Sequence, residues 1–105
     1  MLNTILLNNI TEIKRLFNQN KVKRAFAFGS VCTDKFNEQS DVDFLISFQD
    51  GMNPLERGEN WWTLLYALRD LLKRDVDLVA EDTLRNPYFI KSVNANKELI
   101  YGGIA

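Results

Sequence analysis

Two short apolar runs, each interrupted near its start by a single acid, constrain this chain more than any other feature. They are Val42-Asp43-Phe44-Leu45-Ile46-Ser47-Phe48 and Val76-Asp77-Leu78-Val79. Runs of this length and apolarity read as strands taken into a core. A carboxylate inside such a strand is costly to bury unless something neutralises it. Side chains alternate along a strand, so Asp41 and Asp43 share a face, with Cα atoms about 6.5 Å apart, and Val42 takes the other. The apolar residues that follow put this pair at the mouth of a buried strand. Asp77 becomes a third carboxylate if its strand pairs beside the first, and Asp75, on the same face, is the fallback.

The rest of the chain supplies a frame for these strands. Leu2, Ile5, Leu6, Ile10, Ile13, Leu16 and Phe17 recur at helical spacing, which predicts a helix over about 3–19. Asn9 followed by Glu12 resembles a capping pair and allows a break there. Val22 to Phe28 reads as a strand ended by Gly29, Ser30 to Lys35 as one helical turn, and Asn37 to Ser40 as a turn. Gln49 to Asn60, with Gly51, Pro54 and Gly58, reads as a long polar loop. Trp61, Leu64, Leu65, Leu68 and Leu72 mark an amphipathic helix with one core face. Asp75 to Ala80 is a third strand. Asn86-Pro87 signals a helix start, Asn86 capping and Pro87 at the first position, with the helix running to about Val93. Glu98 to Tyr101 makes a short last strand. The order predicts an α+β fold: a mixed sheet of about four strands with helices mainly on one face.

Composition narrows the chemistry. A length of 105 residues suits one domain over 1–105. The absence of histidine excludes Ser-His-Asp and Cys-His nucleophile systems, His general bases and HExxH zinc sites. Cys32 is the only cysteine, so intrachain disulfides and multi-Cys zinc sites are excluded too. Chemistry is left to carboxylates, hydroxyls, Lys, Arg or a hard metal. A net charge of −1 argues against nucleic acid as a general direct ligand. No apolar run approaches the roughly 20 residues of a membrane span, and no charged leader precedes a cleavage site, so a cytoplasmic location is expected. The basic stretch Lys14, Arg15, Lys21, Lys23 and Arg24 reads first as a solvated face. Trp62 and Tyr66 lie off the apolar stripe of their helix, and either wrap the core or face a partner.

Upstream of the acids, Phe28-Gly29-Ser30 closes a strand and opens a turn. Glycine lets backbone approach a phosphate, and the turn's N–H groups with the Ser30 hydroxyl can donate to it. A divalent cation between Asp41 and Asp43 would relieve their repulsion, and Mg²⁺ prefers such oxygen ligands. Phosphate cradle and acid pair, joined by one loop, suit a nucleoside triphosphate with its metal.

Gly29-Ser30, ten intervening residues and Asp41-Val42-Asp43 resemble the G-S-x10-D-x-D signature of DNA polymerase beta-like nucleotidyltransferases. The short chain most resembles the minimal nucleotidyltransferases, often paired with HEPN-domain toxins, over roughly Ile10 to Tyr101. The resemblance implies a polymerase beta palm-like fold and two Mg²⁺ ions on Asp41, Asp43 and Asp77. It implies that Asp77 also helps deprotonate the acceptor hydroxyl. It implies ATP as substrate, its β- and γ-phosphates held by Gly29 and Ser30. The implied acceptor is a tyrosine of a HEPN toxin, silenced by AMP. Many members read G-S-x-A-R-G, whereas Thr33 and Asp34 stand here in place of the basic residue and second glycine, with Lys35 the nearest replacement cation. Two alternatives stay open: an antitoxin with a weakened site that neutralises its toxin by binding, and a transferase acting on tRNA or a small molecule.

Overall fold

The computed structural model of the chain describes residues 3–103, so Leu2 lies outside the described residues. The N-terminal helical pattern is two helices, α1 (Thr4–Asn8) and α2 (Ile10–Gln19). The break falls at Asn9, but by a different contact from the capping pair. The Asn9 side-chain amide donates back to the Ile5 carbonyl at 2.8 Å and makes no cap bond to α2.

Strand β1 (Val22–Phe28) is followed by a 3₁₀ turn (Gly29–Cys32), then by β2 (Val42–Phe48). The predicted polar loop over 49–60 is a misreading in its second half, because α3 runs Pro54–Leu72. Asn53 caps it, its side-chain oxygen accepting from the Glu56 N–H at 2.8 Å, and Pro54 occupies the first turn, where it gives up no helical bond. Strand β3 (Val76–Ala80), α4 (Pro87–Asn96) and β4 (Glu98–Tyr101) complete the chain. Asn86 caps α4 as its sequence predicts, accepting from Tyr88 and Phe89 N–H groups, but the helix runs three residues beyond Val93.

The sheet order is β3-β2-β1-β4, with β2 and β3 parallel and the other pairs antiparallel. The alternation of β2 is reflected in its two cores. Val42, Phe44, Ile46 and Phe48 enter the main core with Leu6, Phe17, Leu64 and Leu68 from α1, α2 and α3. Phe17 meets Phe44 edge-on at 5.6 Å between ring centres. Leu45 faces the other way, joining Phe28 and Val93 in a smaller cluster under α4. Three helices therefore cover one face and α4 covers part of the other. Asp43, in phase with Leu45, belongs to that second, thinly covered face.

Trp61 is the tryptophan tied to the sheet, donating from Nε1 to the Leu78 carbonyl at 2.9 Å. Trp62 and Tyr66 stack on each other at 5.7 Å and stay more than half exposed, so they do not wrap the core. Among the described residues, no helix is long and apolar enough to cross a membrane.

Candidate functional site

The carboxylates converge because β2 is an inner strand. In register, Asp43 stands opposite Phe28 of β1 on one side and opposite Asp77 of β3 on the other. The conditional pairing that would make Asp77 a third carboxylate is thus the pairing observed. Asp75 contributes backbone instead, its carbonyl accepting from the Val42 N–H at 3.1 Å. Asp41 is exposed and lies one residue before β2.

Gly29 touches Asp43. Its φ is +77°, a region that L side chains rarely adopt, and a Cβ placed there would lie 2.3 Å from the Asp43 Oδ2. The sequence suggests glycine for approach to a phosphate, and the geometry adds a second reason, room for the Asp43 carboxylate. The 3₁₀ turn that Gly29 opens carries Ser30, partly buried, and is closed by Thr33, whose N–H and Oγ1 both donate to the Ser30 carbonyl at 2.9 Å. Thr33 is therefore a turn-closing residue. Asp34 and Lys35 are exposed.

Burial pushes the Asp43 carboxyl up to about 6, and the Asp77 and Asp41 carboxylates push in the same direction. Cys32 is raised to about 11, first by burial and then by the Glu98 charge, so its thiol stays protonated at neutral pH and is no nucleophile.

No group of three His, Cys, Asp or Glu side chains among the described residues already stands in ligating arrangement. The donor type nonetheless suits a hard divalent cation. All three are carboxylates, and Asp43 is held near enough to the other two for its ionisation to be opposed.

Four of the five cations of the basic stretch are held in ion pairs. Arg15 pairs with Glu12, Lys21 with Glu56, Lys23 with Asp50 and Arg24 with Glu81. A cavity of about 500 Å³ lies at the other end of β2, lined by Ser47, Phe48, Arg57 and Glu81 among others. Strand rise puts that end roughly 17 Å from Asp43, so the cavity is separate from the carboxylates. One residue that the sequence did not point to is Arg74, whose Nη1 donates to the Asn37 and Ser40 carbonyls at 3.0 Å each.

Known proteins resemble this chain as a whole. The family described as "Polymerase beta, Nucleotidyltransferase" matches residues 11–103. A Methanocaldococcus jannaschii protein assigned as a protein adenylyltransferase is 36% identical over 100 residues, covering 90% of this chain and 96% of its own. A solved structure assigned as a minimal nucleotidyltransferase superposes with a TM-score of 0.70 at 28% identity, covering 93% of this chain and 95% of that one. A structure of a tri-AMPylated Shewanella oneidensis HEPN toxin in complex with an MNT antitoxin gives a TM-score of 0.65 at 22% identity, covering 92% and 72%. At that identity the last likeness speaks to the fold.

Proposed function

The chain belongs to the polymerase beta nucleotidyltransferase family, and on that premise we propose that it transfers AMP from ATP to a hydroxyl of a partner protein, a HEPN-type toxin, as its antitoxin. The observation that carries this reading is the register pairing of Asp43 with Asp77 beside Gly29. It joins a pair of carboxylates to the turn that Gly29 opens. The relative assigned as a protein adenylyltransferase supports the reaction class; the acceptor is carried over from a neighbour that shares the fold, whose partner toxin is AMPylated.

In this reading Asp41, Asp43 and Asp77 hold Mg²⁺, which when bound neutralises the carboxylates and the triphosphate charge. Gly29 backbone and the Ser30 hydroxyl donate to the β- and γ-phosphate oxygens and fix the triphosphate. Asp77, the exposed carboxylate of the pair, accepts the proton of the acceptor hydroxyl. The acceptor oxygen then bonds to the α-phosphorus, the bond to the bridging oxygen breaks, and pyrophosphate leaves.

A second reading has one observation behind it. Thr33 closes the turn at the position that is basic in the G-S-x-A-R-G pattern the chain resembles, so the turn itself offers no cation to the triphosphate. In that reading the chain neutralises its partner by binding alone. The test is incubation with ATP labelled at the α-phosphate, Mg²⁺ and a HEPN-domain protein from the same genome. Label on the partner, lost in Asp43→Asn, is the expected result. Tight complex formation with no label would overturn transfer in favour of binding.

A further inference from the structure

We propose that Arg74 is a positioning residue that holds Asp41 in place through the turn preceding it. This inference rests on the reading of Asp41 as a metal-holding carboxylate. Asp41 needs such support because it stands outside β2, so no ladder bond of the sheet fixes it. The segment before it has no regular structure after the 3₁₀ turn.

Within that segment, the bonds of the Asn37–Ser40 turn close it only on itself. Ser40 N–H donates to the Asn37 carbonyl at 3.1 Å, Gln39 N–H to the Asn37 Oδ1 at 2.8 Å, and Asn37 N–H to the Ser40 Oγ at 3.1 Å. These contacts shape the turn without anchoring it to the sheet. Arg74 supplies an anchor. It lies two residues before β3, and its Nη1 bridges the Asn37 and Ser40 carbonyls at 3.0 Å each. Charge-assisted bonds of this kind are stronger than neutral ones. Its guanidinium also lies 4.6 Å from the centre of the Phe36 ring, and Phe36 packs against the main core.

The arrangement costs a donor, since Arg74 Nε is buried with no hydrogen-bond partner. The consequence is directional. The carbonyl of Ser40 belongs to the peptide that leads into Asp41, so holding it limits the arc through which the Asp41 carboxylate swings. The Asp75 carbonyl, next in sequence to Arg74, holds Val42 on the far side of Asp41. Asp41 is thus bracketed by two adjoining residues of the chain that enters β3.

The test is a double-mutant cycle read by Mn²⁺ binding to the free protein, with amide exchange at Gln39 and Ser40 as a second readout. Arg74→Met should weaken Mn²⁺ binding about tenfold, the scale of lost support behind a ligand, and speed exchange at both amides while β1 amides stay protected. In the Asp41→Asn background the same change should have no further effect on Mn²⁺, because the carboxylate it positions is gone. An equal loss in both backgrounds, or no loss in either, would overturn the proposal. If Arg74→Met does not fold, Arg74→Lys replaces it in the cycle, with about a threefold loss expected and the same two overturning outcomes. If Asp41→Asn alone leaves Mn²⁺ binding unchanged, the site reading fails and takes this inference with it. If only the Arg74 step fails, the site reading stands.

Discussion

The two ends of β2 handle charge in opposite ways. At the end that begins with Val42, Asp41, Asp43 and Asp77 are all acids, and the Asp43 carboxyl is raised first by burial and then by the charges of Asp77 and Asp41. At the end that finishes with Phe48, charges alternate and are matched: Lys23 with Asp50, Arg24 with Glu81, Arg57 with Asp82. Ser47 adds a hydrogen bond to Glu81 at 2.7 Å. The matched end contains the cavity and the unmatched end contains the carboxylates of the proposed site. On the proposed function, a site that takes up a cation and a triphosphate would keep its carboxylates uncompensated, at a cost in stability that the rest of the fold offsets.

The largest expected effect removes the central carboxylate. Asp43→Asn should lower AMP transfer by at least about a hundredfold, the scale of losing a charge that acts in the transition state. The same change should raise the thermal midpoint of the metal-free protein, since it deletes a half-buried charge opposed by two others. Activity assays and thermal melts on one preparation check both. A fall in both quantities would break the contrast, because it would mean that the acids are already compensated.

Gly29→Ala comes next. The added methyl would meet the Asp43 Oδ2 at 2.3 Å, and the φ of +77° costs an alanine about 1 kcal/mol. The carboxylate is the free end of a side chain, so it turns aside before the sheet does. Mn²⁺ affinity should therefore fall more steeply than stability, as titration and denaturant unfolding would report. A stability loss with unchanged Mn²⁺ affinity would separate Gly29 from the carboxylate cluster.

The pH dependence is smaller and has a definite sign. The Asp43 carboxyl rises from 3.8 to about 6 in the fold, so the folded state binds its proton more tightly than the unfolded one. Its contribution is fully present below about pH 4 and is lost as pH rises through about 6. The metal-free protein should lose stability across that window, and Asp43→Asn should lack this component. Exposed Glu12 and Asp82 are lowered by Arg15 and Arg57, so they act in the opposite direction at lower pH and cancel in the wild-type-minus-variant difference. Mg²⁺ should raise the melting temperature at pH 7.5 and leave it unchanged at pH 4.5. A stabilisation independent of pH would place the cation elsewhere.

Local signals carried much of this architecture. Val22–Phe28, Val42–Phe48 and Glu98–Tyr101 are strands with the bounds their apolar runs suggest, because each is a compact run that a turn residue or helix end delimits. The same Asn-Pro pair was legible at Asn86-Pro87 and misread at Asn53-Pro54. In the second case Gly51 and Gly58 on either side looked like loop punctuation, yet Gly58 lies within α3. The face that α4 covers was not legible, since Val93 is its one buried residue among those described and one residue sets no periodicity. In the candidate site, spacing singled out Asp41 and Asp43, yet only Asp43 lies within β2, while Asp77 depended on a pairing that sequence could state only conditionally. Arg74 left no signature at all. Its bonds run 34 and 37 residues back to carbonyls, which every residue type possesses.

The smallest expected effect belongs to the matched end. Arg57 pairs with Asp82 at 2.9 Å and lies over the Phe48 ring at 5.3 Å, with Asp82 largely exposed. Exposed pairs of this kind contribute about 0.2–1 kcal/mol. Arg57→Met keeps much of the stem over the ring and removes the charge. It should lower stability within that range, less so at high salt, and leave AMP transfer and Mn²⁺ affinity unchanged. Because Arg57 borders the cavity, the variant also asks whether that space takes part in the reaction. A transfer rate reduced threefold or more, with the fold intact, would couple the two ends of β2. The division between a reactive end and a merely balanced one would then have to be redrawn.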